Sequence, residues 1–166
     1  MRIAWACLFL VGCGGDHVGI SANFVLPQAF RSSDIKSYEI YVVTKASLPD
    51  NGAQVCEKFF ADEIPELPAT SGHTITAFDS TGGASSTTAI KVPPGQGYVV
   101  LAQGWNVDLA ADPNAASRRV IAVGCVPNVV IRGSQTTDVT LALCVCATPM
   151  AGDSSTACRS PLCPSL

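Results

Sequence analysis

Val92-Pro93-Pro94-Gly95-Gln96-Gly97-Tyr98-Val99-Val100-Leu101-Ala102-Gln103-Gly104-Trp105 is the stretch that decides the fold class. Two prolines and two glycines make a tight turn, and the residues after it alternate strictly. Tyr98, Val100 and Ala102 share one face, and Val99, Leu101 and Gln103 share the other, with no helical period. A β-strand running out of a turn is the reading, and Thr87 to Val92 before it reads as the other arm of a hairpin. Working outward, the same period of two recurs. Ile20, Ala22, Phe24 and Leu26 line one side of a first strand that Pro27 closes. In the run from Ile35 to Lys45, Tyr38, Ile40 and Val42 oppose Tyr41 and Val43, the pattern of a central strand, and the turn Leu48-Pro49-Asp50-Asn51-Gly52 comes after it.

The segment from Gln54 to Ala61 fits a strand or a short helix, and Asp62 to Pro68 is broken by two prolines. His73 to Phe78 is a further strand, separated from Thr87 to Val92 by a loop rich in Gly, Ser and Thr at 82–88. Asn106 to Ser117 has room for one helical turn at most. Arg119 to Val126 and Val129 to Arg132 return to strand character. After Gly133-Ser134-Gln135, the run Thr137 to Cys146 places Val139, Leu141, Leu143 and Val145 on one side. Many short strands without a convincing amphipathic helix predict an all-β domain, an antiparallel β-sandwich over 19–146. The fragment from Ile90 to Val100, and the ending Val129 to Leu143 with its turn at Gly133 to Thr136, resemble prealbumin-like or carboxypeptidase-regulatory-like sandwiches. That resemblance implies an immunoglobulin-like or prealbumin-like architecture and no particular activity.

With 48% hydrophobic and 14% charged residues in 166, the composition is that of one packed domain rather than a disordered stalk. The amino end reads Met-Arg-Ile-Ala-Trp-Ala-Cys-Leu-Phe-Leu-Val-Gly-Cys: one early positive charge, a short apolar run, a small residue and a cysteine. A bilayer core needs about 20 apolar residues, so this is the layout of a secretory signal rather than a spanning helix. Leu10-Val11-Gly12-Cys13 resembles the lipobox of bacterial lipoproteins at all four positions. The resemblance implies that residues 1–12 are a signal peptide, cut before Cys13, and that Cys13 carries diacylglycerol and a further acyl chain such as palmitate. Residues 13–18, with Gly14, Gly15 and His17, form a flexible tether. Because Gly14 rather than aspartate follows the cysteine, the enteric sorting rule implies the outer membrane. Loss of Arg2 with the leader leaves nine basic and 13 acidic side chains, a formal charge of −4, which gives no electrostatic reason to expect nucleic acid as a partner.

Of eight cysteines, the lipobox resemblance implies that Cys7 leaves with the leader and that Cys13 takes the lipid. Cys56, Cys125, Cys144, Cys146, Cys158 and Cys163 remain and allow about 15 pairings. Spacing favours one long-range bridge between Cys56 and Cys125, worth about 4 kcal/mol by the chain-entropy argument, and two bridges in the tail. Cys144 and Cys146 share a strand face and do not comfortably bond each other. Each is expected to take Cys158 or Cys163, which folds the Cys/Pro/Ser-rich tail at 147–166 back onto the last strand. The rival reading is four thiolates around zinc, which the spacing and an oxidising compartment disfavour.

No catalytic motif emerges. There is no Gly-x-Ser-x-Gly elbow, no phosphate loop and no His-Glu-x-x-His. His73 is the one histidine available to a folded site, and a surface position suits it better than a general base. Asp108, Asp112 and Asn114 lack the alternate spacing of a calcium hand. Trp105 at a strand end can stack on a sugar, with Tyr38, Tyr41 and Tyr98 as possible company, although rings in strand patterns more often fill the core. The expectation is a membrane-anchored lipoprotein of the cell envelope with no catalytic residues, no metal and no cofactor. Its β domain would serve as a structural or protein-binding module, or alternatively bind a glycan or small ligand.

Overall fold

The computed structural model describes residues 19–25, 35–61, 64, 72–77, 90–133 and 135–146. The leader at 1–12, Cys13 and the tether with His17, the loop at 82–88, and the tail at 147–166 with Cys158 and Cys163 lie outside the described residues. The elements in chain order are β1 (Gly19–Val25), β2 (Ser37–Thr44), α1 (Val55–Phe60), β3 (Gly72–Ala77), β4 (Ile90–Lys91), β5 (Gly95–Trp105), β6 (Val120–Ile131) and β7 (Thr137–Val145). Two 3-10 turns, Lys45–Ser47 and Pro49–Gly52, lead from β2 into α1. The ambiguous stretch at Gln54 is thus helical, and its Val55 and Phe59, four apart, are buried on one helical face.

The strands form one seven-stranded sheet in the order β3-β2-β5-β6-β7-β1-β4. The all-β expectation holds, but the sheet is mixed rather than purely antiparallel. β1 runs parallel to β7, from Ile20 opposite Thr137 to Val25 opposite Ala142. An apolar alternation reads the same in either direction, so it fixes which face is buried and leaves strand polarity open. The expected hairpin between the strand ending at Val92 and β5 does not form either. β4 pairs with β1, through Gly19 opposite Lys91 and Ile20 opposite Ile90, while β5 lies between β2 and β6. Pro93 and Pro94 bring no N–H to a ladder, and the connection is held instead by the Tyr98 hydroxyl donating to Pro93 O at 3.0 Å.

Three register shifts between β5 and β6 bend the sheet. They fall between Gly95 and Tyr98, Tyr98 and Val100, and Gly104 and Trp105. The first contains Gly97 at φ 71 and the second faces Asn128 at φ 63, left-handed conformations of the kind that bulges use. The stretches on either side of Pro127 are therefore one 12-residue strand crossing a bulge. The bending brings the two sheet edges together. A Cβ on Gly72 of β3 would stand 2.7 Å from Ile90 Cγ2 and 2.9 Å from Val92 Cγ2, so the sheet is nearly closed into a barrel.

Both faces of the central strands are covered. The inner core holds Ile20, Ala22 and Phe24 of β1, Tyr38, Ile40 and Val42 of β2, Val100 and Ala102 of β5, and Val139, Leu141 and Leu143 of β7. Phe24 and Tyr38 stack there with ring centroids 4.1 Å apart. The outer core gathers the opposite residues, Val43, Val99, Leu101 and Val123, beneath Leu48, Val55, Phe59 and Leu109. A strand that is apolar on both sides, as Val99 to Ala102 is, needs two covers, and here they are the curled sheet and the α1 segment.

Candidate functional site

Among the described residues, Trp105, Cys144 and Cys146 belong to the outer core, and Cys56 and Cys125 pack against it. Cys56 of α1 and Cys125 of β6 are joined by a disulfide across a sequence separation of 69, with their Cα atoms 5.5 Å apart. This is the long-range bridge that spacing favoured. Cys144 and Cys146 lie together on the β7 side of the outer core and are also disulfide-bonded, to partners outside the described residues. Sulfurs engaged in disulfides are not the thiolates that a zinc site requires. Among the described residues, no group of three or more His, Cys, Asp or Glu is placed to hold a metal ion.

Trp105 is 8% exposed and packed in the outer core, with Leu109 and Val120 in the same cluster. Its ring faces are spent on protein contacts and are not open to a sugar. Tyr38 and Tyr98 are buried in the inner core, so the aromatic residues that the strand pattern suggested do not form a platform. Asp108, Asp112 and Asn114 act as turn residues. Asp108 Oδ1 accepts from Ala110 N at 3.0 Å, Asp112 Oδ1 accepts from Asn114 N at 3.1 Å, and a single helical turn forms as Asp112 N donates to Asp108 O. The loop base is clamped by Asn106, which donates to Ser117 O and accepts from Arg119 N. Ser37, wholly buried, ties the same loop to β2 by donating to Val107 O at 2.7 Å and accepting from Leu109 N at 3.1 Å.

His73 has company that the sequence did not reveal. It lies directly across from Tyr41 on β2, and the two rings stack at 4.7 Å. His73 Nε2 donates to Glu39 Oε1 at 2.9 Å, and the side chains of His73 and Glu39 are 40% and 13% exposed. Burial raises the Tyr41 phenol well above its ordinary range, and the hydrogen bond to Glu39 and the charge of Glu39 raise it further. Gln103 of β5 stands opposite Glu39 on the other side. Residues 39 and 41 share a strand face by the period of two, which the sequence did show. That His73 joins them depends on the β2–β3 register, for which the sequence has no signal. An imidazole on a carboxylate can relay a proton; among the described residues no Ser, Thr or Cys hydroxyl or thiol is hydrogen-bonded to His73.

A second surface feature is a groove of about 430 Å³ at the β6–β7 turn, lined by Val130, Arg132, Gln135, Thr136, Thr137 and Asp138. Val130 is 45% exposed there. Among the described residues no helix is long and apolar enough to cross a membrane. Compared with protein-family models, with curated proteins and with solved structures, the chain matches none.

Proposed function

We propose that this chain is an exported lipoprotein, anchored to a membrane by acyl chains on Cys13, whose β domain is a non-enzymatic structural or partner-binding module of the cell envelope. The observation that carries the reading is the oxidised state of Cys56, Cys125, Cys144 and Cys146. A reducing cytosol does not maintain such a set, whereas an extracytoplasmic compartment does, and the Leu10 to Cys13 motif supplies the route there. Two or more acyl chains make the anchor lasting, since each buried methylene contributes about 0.8 kcal/mol and a single chain binds only reversibly. Gly14 after the lipid-bearing cysteine directs the protein to the outer membrane.

In this reading the sheet is an immunoglobulin-like or prealbumin-like sandwich, with β3, β2, β5 and β6 as one layer and β7, β1 and β4 as the other. The domain presents its partner surface outward and is stapled against unfolding by its disulfides. The alternative of a carbohydrate-binding module draws no support from Trp105, whose ring is enclosed. Intact-mass analysis of membrane-extracted protein, with and without reduction, tests the reading. The expected mass lacks residues 1–12, carries diacylglycerol and an acyl chain on Cys13, and gains two hydrogens per bridge on reduction. A mass without lipid, or a Cys13→Ser chain that still partitions with membranes, overturns it.

A further inference from the structure

The segment from Lys45 to Ala61 covers the outer core, yet among the described residues its hydrogen bonds reach the sheet only at Thr44, the last residue of β2 from which it springs. Leu48 N donates to Lys45 O, Ala53 N to Asp50 O, Lys58 N to Gln54 O and Ala61 N to Glu57 O, and each of these bonds closes within the segment. Its side-chain bonds are equally local, Lys58 to Asp50 and Ser47 to Thr44 O at the junction with β2. Among the described residues, what fastens it to the strands is apolar contact through Leu48, Val55 and Phe59, and the Cys56–Cys125 bond.

The segment is poorly equipped to hold its own shape. α1 has six residues, its N-cap Gln54 sits at φ 53 with no side-chain cap, and Asp50 and Asn51 before it are also left-handed at φ 52. A helix this short does not persist in water without tertiary support, and a left-handed glutamine at its N-cap adds strain. The sulfur-bearing residues also differ in access. Cys56 and Cys125 are partly exposed, whereas Cys144 and Cys146 are buried.

We propose that the Cys56–Cys125 bond is a redox latch, whose reduction by a dithiol frees the strap from Lys45 to Ala61 and uncovers the apolar outer face of β2, β5 and β6. One thiolate of the reductant attacks a sulfur of the bond, forming a mixed disulfide and expelling the other cysteine as a thiolate, which takes up a proton. The second thiol of the reductant then displaces the first cysteine. Two electrons and two protons end on Cys56 and Cys125, and the dithiol leaves as a disulfide. The surface exposed contains Val43, Val99, Leu101 and Val123, all nearly solvent-free while the strap is closed. The inference depends on the oxidised state of this one bond and not on the lipid anchor.

Hydrogen exchange on the purified full chain, compared with the Cys56→Ser/Cys125→Ser chain, tests it. The expected result is a rise in exchange at the Lys58 and Ala61 amides at least about ten-fold larger than any rise across β1, β2, β5, β6 and β7, which lose only the crosslink's contribution to global stability. Unchanged exchange in the strap overturns the latch, and so does an equal rise across the strands, which marks a global staple instead. Titration of the wild-type chain with dithiothreitol, followed by alkylation and peptide mapping, decides independently of whether the double variant folds. Cys56 and Cys125 are expected to label at a reductant concentration at least about ten-fold below that needed for Cys144 and Cys146, because thiolate attack depends on access. Simultaneous labelling of all four, or labelling of Cys144 and Cys146 first, overturns the proposal.

Discussion

Gly72 and Ile90 sit on the two edge strands of the sheet and approach so closely that a Cβ on Gly72 would meet Ile90 Cγ2 at 2.7 Å. The methyls on the other side belong to Ile90 and Val92, β-branched residues with little χ1 freedom, so they do not swing away cheaply. Gly72→Val is therefore expected to push β3 from β4 and to destabilise the domain by about 1–3 kcal/mol, the usual cost of overpacking. Urea unfolding measures it. An unchanged midpoint would mean that the two edges do not touch in solution.

The pair Asp50 and Lys58 makes a pH prediction of definite sign. The Lys58 ammonium donates to the Asp50 carboxylate and holds its pKa below the ordinary value. A carboxyl depressed on folding contributes stability that is present above its unfolded pKa and is lost as pH falls through the folded one. Asp50→Asn keeps a residue that tolerates φ 52 and removes only the charge. The variant is expected to be slightly less stable than wild type at neutral pH and equal to it once Asp50 is protonated. Both carboxylate and ammonium face water, so the difference is small and shrinks in added salt. Paired urea midpoints at neutral and strongly acidic pH check it.

Sequence patterning reached the faces of the strands but not their neighbours. Tyr38, Ile40 and Val42 are inside and Tyr41 is outside, as the period of two required, because alternate side chains must point to opposite faces. The Cys56–Cys125 bridge was also legible, since four of the six candidate cysteines crowd into the chain end and leave these two for each other. The parallel β1–β7 pair was not legible, because alternation carries no direction. The placement of β4 beside β1 was missed because proximity in sequence argued for β5. Nor could the stack of His73 on Tyr41 be found, since it needs the register of two strands whose connection runs through prolines and an ambiguous segment. Trp105 looked available because it ends a strand beside a loop; that loop instead folds back over it through Ser37 and Leu109.

Tyr38 and Tyr41 are expected to weaken the domain at alkaline pH. Burial raises both phenols above their ordinary value of 10.0, and for Tyr41 the hydrogen bond and charge of Glu39 add to it. A phenol held neutral by folding contributes stability that is fully present below its unfolded pKa. That contribution is lost as pH climbs beyond it, because the unfolded chain ionises first. Urea midpoints are expected to fall as pH rises past the ordinary tyrosine range, and to fall less in Tyr41→Phe than in wild type. In Glu39→Gln the Tyr41 phenol is expected to ionise at lower pH than in wild type and still above the ordinary value, since burial is the larger cause. Ultraviolet titration of the phenolate reads this, and an unshifted titration in the variant would remove Glu39 from the account.

Asn128 fixes the bend of β6. Tyr98 lies opposite Val129 and Val100 opposite Val126, so β6 carries an additional residue at this point, and Asn128 takes it up at φ 63 just after Pro127, which has no N–H to leave unpaired. Asparagine tolerates the left-handed region better than other residues with a Cβ, and a β-branched side chain tolerates it least. Asn128→Val is expected to cost about 1–3 kcal/mol, because the backbone must either keep a strained conformation or lose the bulge that curls the sheet. Asn128→Gly removes the steric restriction and is expected to stay close to wild type. The m-value should hold in both, since the surface exposed on unfolding is unchanged. Equal midpoints for the valine and glycine chains would mean that residue 128 is not left-handed in solution and that the curvature of β6 has another origin.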